Sequence, residues 1–215
     1  MKYPLIVFDW DGTIIDSPRT IAQCIRLAAS DLGLEVPDAE RASHVIGLGL
    51  HDAMRIAVPA LPPSRYAEFA ECYRRHFLAR EDAMQLYPGM RELLEALAGS
   101  RRLAIATGKS RRGLARALEA SALERIFCAS RCADETHPKP HPAMLLELMH
   151  ELEVEAERVL MIGDTSHDLD MARAAGVDAL AVAYGAHPEA GLLACEPRGC
   201  VASVPDLREW LQRNA

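Results

Sequence analysis

The sequence predicts an α/β protein, a parallel sheet covered by helices on both faces, with a helical insert near the start of the chain. Three observations carry this expectation. After Tyr87-Pro88-Gly89, short apolar runs alternate with segments of helical periodicity. From Ser17 to about Asp82 only helical patterns occur. Three of the apolar runs are followed at once by a polar motif, and parallel sheets bind ligands at the carboxyl ends of their strands, beside a reversal of strand order.

The elements follow in order. Pro4-Leu5-Ile6-Val7-Phe8 reads as the first strand. Ser17-Pro18 reads as an N-cap with proline at the first helical position. Ile21, Ile25, Ala28 and Leu32 keep the 3.6-residue period, and Gly33 ends that helix. Pro62-Pro63-Ser64 opens another helix, with Phe69, Tyr73 and Phe77 on one face. Beyond Gly89 the expected elements are a helix over Arg91 to Ala98, a strand over Arg102 to Ala106 and a helix over Ser110 to Glu119. A short strand over Arg125 to Cys128 and a helix over Pro142 to Leu152 come next. The strand Arg158 to Ile162, a helix reaching Gly176 and a strand through Val182 lead to a terminal helix starting at Pro205.

With 215 residues the chain suffices for one α/β core and a small appended module. Half of it is hydrophobic and 26% charged, the balance of a soluble globular protein. The formal charge of −7 and the scattered arginine pairs argue against nucleic acid or anionic membrane as partners. With no leader pattern and no apolar run of membrane-spanning length, the sequence predicts a cytoplasmic protein. Six cysteines without CxxC spacing fit that compartment as free thiols rather than a zinc site.

Four short motifs carry the chemistry. Asp9-Trp10-Asp11-Gly12-Thr13 follows the first strand, Thr107-Gly108-Lys109 the second, and Gly163-Asp164-Thr165-Ser166-His167-Asp168 the clear strand over 158–162. Lys139 lies in His137-Pro138-Lys139-Pro140. These residue types suit hydrolysis of a phosphate ester. A carboxylate can attack phosphorus and form an aspartyl-phosphate. A divalent cation bridging that carboxylate and a phosphate oxygen offsets their repulsion. Hard oxygen ligands suit Mg²⁺, and Asp9 and Asp164 can supply them. Asp11, two residues beyond the nucleophile, can protonate the leaving group and then activate water. The Thr107 hydroxyl, the Gly108 N–H and the Lys139 ammonium can hold the remaining phosphate oxygens.

The order Asp-x-Asp-Gly-Thr, strand-Thr-Gly, Lys-Pro, Gly-Asp-Thr-x-x-Asp resembles the haloacid dehalogenase superfamily over essentially the whole chain, and within it the phosphoglycolate phosphatase-like hydrolases. The resemblance implies a Rossmann-like doubly wound core over residues 1–16 and 84–215, with a helical C1-type cap over 17–83. It implies Asp9 as nucleophile, Asp11 as acid/base, Thr107 and Lys139 as phosphate ligands, and Asp164 as the metal carboxylate. The Asp11 backbone carbonyl is then the third metal ligand, and Asp168 stands just behind the ligands. Trp10 replaces the usual aliphatic residue; it could narrow the site while leaving its backbone N–H available to substrate. In the cap, Gly47 and Gly49 permit a tight loop near the substrate. His44, His51 and Arg55 are the nearby polar candidates to touch it; His51 is the expected substrate contact, and a surface or packing role is the commoner alternative for either histidine. The implied partner is a small phosphorylated metabolite, with phosphoglycolate the first candidate and a nucleotide monophosphate close behind. The sequence gives no reading of oligomeric state.

Several competing readings are weighed on the same residues. Asp9 and Asp11 could mark a turn, Thr107 could cap the next helix, and Lys139 could be a solvated loop residue, although the chain has only Lys2, Lys109 and Lys139. Asp168 could be a first-turn helix acid. A P-loop at Gly108-Lys109-Ser110 fails because Leu103 stands where its first glycine is needed. Gly47-Leu48-Gly49 lacks the third glycine of a dinucleotide fingerprint. His137 and His141 are separated by prolines that forbid a helical metal face. Dehalogenation does not fit the presence of Asp11, and phosphonatase chemistry does not fit a cap without lysine. A sugar-phosphate mutase would want an arginine just after the cap-loop glycine, where only Arg55 comes near. A non-catalytic binding protein on this scaffold would have lost one of the two aspartates.

Overall fold

The computed structural model describes residues 2–215. Six parallel strands form one sheet: β1 (Leu5–Phe8), β2 (Arg102–Thr107), β3 (Ala129–Cys132), β4 (Val159–Gly163), β5 (Asp178–Val182) and β6 (Cys200–Val201). Their order is β3-β2-β1-β4-β5-β6, so the chain leaves β1 toward one edge and returns on its other side at β4. Phe8 is in register with Ile105 of β2 and Ile162 of β4. That register brings the motifs after β1, β2 and β4 to the same sheet edge, at the reversal of strand order.

Strand alternation explains the layers. Ile6 and Phe8 point to one face, where they meet Leu93, Leu94, Leu114 and Leu207. Leu5 and Val7 point to the other, against Met144, Leu148 and Met171. The first group belongs to α5 (Met90–Ala98), α6 (Arg111–Ser121) and α10 (Val204–Asn214), whereas α7 (Ala143–Leu152) and α8 (Ser166–Ala174) carry the second. Between them α9 (Glu189–Leu193) follows β5. Burial on both faces is why β1 and β4 read as continuous apolar runs rather than alternating ones. Truncating a fully buried side chain such as Phe8 to alanine would cost about 3–5 kcal/mol.

Residues between β1 and α5 form four helices: α1 (Pro18–Asp31), α2 (Ala39–His44), α3 (Leu50–Ala57) and α4 (Tyr66–Leu78). They bury a cluster of their own that includes Ile25, Ile46, Met54 and Phe69. The expected face of α4 is present, with Phe69 and Phe77 buried and Tyr73 half-buried. Gly33 has φ +65°, the left-handed backbone expected after α1.

Two expectations need correction. The strand expected over Arg125 to Cys128 lies instead at Ala129–Cys132. The apolar pair Ile126-Phe127 belongs to a turn closed by the Ile126 N–H donating to the Leu123 carbonyl, and Phe127 packs edge-on against Phe8 and Trp10. Ala-Ser-Arg-Cys shows no apolar run because β3 is an edge strand, half-buried for three of its four residues. Ser17 does occupy the N-cap position of α1, but its hydroxyl caps nothing; it donates to Asp11. The helix α9 and the two-residue strand β6 were not expected from the sequence.

Candidate active site

Asp9 follows the last residue of β1, and its own N–H donates to the Ile162 carbonyl of β4. Lys139 Nζ lies 2.6 Å from Asp9 Oδ1 and 2.6 Å from Asp168 Oδ1. All three side chains are shut off from solvent. Asp164 completes the group. Its Oδ1 accepts from the Thr13 hydroxyl at 2.9 Å and its Oδ2 from the Ala186 N–H at 2.7 Å. Asp9, Asp164 and Asp168 each place a carboxylate oxygen within 4.8 Å of the others.

Three carboxylates against one ammonium would leave two net negative charges in a dry site if all were ionised. The titration of the group reflects this. Burial pushes Asp9 up to about 7 against the pull of Lys139, with Asp168 adding to the rise. Burial also raises Asp164 well above the usual carboxylate range, helped by Asp9. Burial works against the Lys139 ammonium, but Asp168 and Asp9 outweigh it and hold the group above its ordinary value. Asp9 Oδ2 is buried with no hydrogen-bond partner. An orphaned carboxylate oxygen beside two further acidic groups fits a hard divalent cation.

Asp168 makes two sets of contacts. It closes a capping box with Thr165 at the start of α8, and it also receives Lys139. One side chain thus fixes the helix that follows β4 and aims the lysine at Asp9.

Asp11 faces elsewhere. Its Oδ1 accepts from the Ser17 hydroxyl at 2.7 Å and lies 3.1 Å from Lys109 Nζ. That ammonium also stands 4.7 Å from the centre of the Phe77 ring on α4. Between Asp9 and Asp11 the Trp10 indole is fully buried against Phe127. Gly12 has φ +83°, and a Cβ there would fall 2.1 Å from Asp164 Oδ2, so glycine is required by conformation and by space.

Thr107 is buried at the end of β2, and its hydroxyl oxygen accepts from the Lys109 N–H at 3.2 Å. It is not the cap of α6; Ser110 is, accepting from the Gly113 N–H. Gly108 meets the helical insert main chain to main chain. A Cβ at this position would come 2.5 Å from the Gly47 carbonyl oxygen and 2.6 Å from that of Leu48.

A second contact lies nearby. The His44 carbonyl at the end of α2 faces two imidazole nitrogens, His167 Nε2 at 2.8 Å and His187 Nε2 at 3.1 Å. His187 Nδ1 accepts from the Ser166 N–H, which leaves Nε2 to carry the proton and donate. Burial lowers both rings, His187 to about 4, so both are neutral near pH 7.

Of the residues singled out in the sequence, Asp9, Lys139, Asp164 and Asp168 converge. Asp11, Thr107 and Gly108 lie beside them around Lys109. His51 is exposed and packs edge-on against Tyr66 at 4.8 Å, and Arg55 is exposed and paired with Asp52. Sequence reasoning passed over Ser17, Thr13, Lys109, His167 and His187 as working members of the site. Lys109 carried a signal, being one of three lysines and part of a recognised motif. His187 carried none, because only the fold brings it to Ser166.

A cavity of about 550 Å³ opens from Asp11 between the helical insert and the start of α6. Among the described residues no helix is long and apolar enough to cross a membrane, and the six cysteines are free thiols.

The profile of the haloacid dehalogenase-like hydrolases matches residues 6–182. The chain is 36% identical over 212 residues to the probable phosphatase IndB of Dickeya dadantii, covering 95% of this chain and 91% of that one. It is 32% identical over 220 residues to a 5′-nucleotidase of Pseudomonas aeruginosa, covering 100% and 98%. A phosphoglycolate phosphatase of Pseudomonas savastanoi is 30% identical over 190 residues, covering 84% and 70%. A solved hydrolase of the haloacid dehalogenase-like family from Streptococcus pneumoniae superposes with a TM-score of 0.83 at 25% identity, covering 98% and 99%.

Proposed function

The chain belongs to the haloacid dehalogenase-like hydrolases, and on that premise we propose that it is a Mg²⁺-dependent phosphatase acting on a small phosphate monoester through an aspartyl-phosphate on Asp9. In this reading residues 17–83 are the cap, and 1–16 with 84–215 the catalytic core. Phosphoglycolate, named for one relative, is the starting substrate candidate.

The observation that carries the reading is the division of labour between two aspartates two residues apart. Asp9 sits in the buried charged group with Lys139, whereas Asp11 faces the cavity beside Lys109. The Asp9 carboxylate attacks phosphorus as the P–O bond to the leaving group breaks, and Asp11 delivers a proton to the departing oxygen. Asp11 then takes a proton from water, which attacks the acyl phosphate and frees Asp9. Lys139, the Thr107 hydroxyl and the Gly108 N–H hold the phosphoryl oxygens. Asp9, Asp164 and the Asp11 main-chain carbonyl would hold Mg²⁺, with Asp168 adjoining. When bound, the ion would offset the repulsion between carboxylate and phosphate dianion. The exposure of Arg55 and its pairing with Asp52 favour hydrolysis over a mutase reaction, which would need a cation for a distal phosphate.

Phosphate release from 4-nitrophenyl phosphate tests the proposal. The expected result is turnover that requires Mg²⁺ and is lost in Asp9→Asn. Wild-type protein that releases no phosphate, or Asp9→Asn protein with near-wild-type kcat, would overturn it.

A further inference from the structure

Resting on the phosphatase reading, we infer that the preferred substrate is a phosphate ester whose leaving group carries an apolar ring, rather than a compact carboxylated alcohol such as glycolate. The argument starts from direction. The leaving oxygen must reach the Asp11 carboxyl, and Asp11 lies in the wall of the 550 Å³ cavity. Asp11 also borders a second cavity of about 700 Å³, but Glu81, Asp82, Glu92 and Glu119 line that one and repel an anionic ester, so the group bonded to the leaving oxygen extends into the 550 Å³ space. The volume falls within the range of roughly 300–1,000 Å³ that encloses drug-sized ligands, far more than a two-carbon acid would fill.

The chemistry of the walls points the same way. Three parts of the helical insert face the cavity with hydrocarbon: Ile21 and Ile25 from α1, Val45, Ile46 and Leu48 from the loop before α3, and Phe77 from α4. Cations are also present, but three of the four stand beside a carboxylate in the resting protein. Lys109 pairs with Asp11 at 3.1 Å, Arg74 with Glu71 at 3.3 Å and Arg116 with Glu81 at 3.4 Å. Among the described residues of the lining, the remaining cation is Arg112, which is exposed. A carboxylate one carbon away from the ester oxygen would have to lose its water beside cations that already have partners. A ring in the same place replaces water on an apolar surface, and such burial is favourable in proportion to its area.

The test compares esters that share a leaving-group chemistry. 2-Phenylethyl phosphate and ethyl phosphate are both primary alkyl esters and differ by the ring; 2-phosphoglycolate adds the carboxylate. With Mg²⁺ present, kcat/KM for the phenylethyl ester is expected to exceed that of each of the other two by about tenfold or more, a range that hydrophobic pockets commonly deliver. Phe77→Ala and Leu48→Asn are each expected to shrink the phenylethyl-to-ethyl ratio by about fivefold. The wild-type ratios decide the question even if a variant fails to fold. Equal values, or a preference for phosphoglycolate, overturn the ring inference and leave the phosphatase reading standing. Absence of phosphate release from all three esters overturns both.

Discussion

Lys139 Nζ lies 2.6 Å from Asp9 Oδ1, with the two side chains at most 1% exposed. A buried ion pair of this kind adds little net stability, but breaking it strands a charge, at a cost of about 3–5 kcal/mol. Lys139→Met is therefore expected to lower Tm markedly in metal-free protein. It should also depress kcat/KM by a similar factor for every phosphate ester, because the ammonium addresses the phosphoryl group alone. Thermal melts and kinetics on three esters check this; a changed substrate ranking would contradict it.

Asp9→Asn should separate activity from stability. The amide cannot attack phosphorus usefully, so kcat should fall by about 10³-fold or more. Lys139 keeps Asp168 at 2.6 Å when the Asp9 charge is removed, and the site disfavours ionised Asp9, so the neutral isostere should be at least as stable as wild type in EDTA at pH 8. Circular-dichroism melts of the two proteins read this directly.

Metal-free protein should lose stability as pH rises. Asp9 has an ordinary value near 3.8 and is raised to about 7 when folded. Between these values the folded state binds more protons than the unfolded one, so its contribution is full below about 4 and gone above about 7. Mg²⁺ must displace that proton. The Tm gained on adding Mg²⁺ should accordingly be larger at pH 8 than at pH 5.5, and EDTA should abolish activity reversibly. An equal gain at both pH values would contradict the assignment of Asp9 as a ligand.

Gly12→Ala should weaken the metal site without replacing a ligand. The new methyl group would fall 2.1 Å from Asp164 Oδ2 on a left-handed backbone, so the carboxylate must move. The Mg²⁺ concentration for half-maximal activity is expected to rise about tenfold or more, measured by metal titration. Ser17→Ala makes a contrast. It removes the 2.7 Å hydrogen bond to Asp11, and should lower kcat several-fold with an unchanged Mg²⁺ requirement.

Much of this could be read in the sequence because a parallel sheet buried on both faces writes its strands as apolar runs. Leu5 to Phe8 and Val159 to Ile162 stand out for that reason, and the motifs after them mark the site. At the sheet edges the signal fails. In β3 three of the four residues are half-buried and Ser130 and Arg131 interrupt any apolar run, and β6 has two residues, too few for a pattern. The site divides along similar lines. Asp9, Asp164 and Lys139 stand in motifs whose spacing reflects chemistry. His187 and Ser17 act through neighbours that only folding supplies, and a serine before a proline suits a helix cap equally well. His51 stands close along the chain to Gly49, and α3 turns its ring toward Tyr66, a neighbour that the sequence does not announce.

Part of the contact between the helical insert and the core is made by main-chain oxygens: the carbonyls of Gly47 and Leu48 against Gly108, and that of His44 under two imidazoles. A carbonyl is the same whatever side chain its residue bears. Val45, Ile46 and Leu48 border the cavity and also belong to the insert's own apolar cluster, so a change among them that keeps an apolar side chain of similar volume can reshape the cavity wall while these carbonyl contacts persist. The loop's backbone anchors thus separate how the insert is seated from what its side chains present to the cavity.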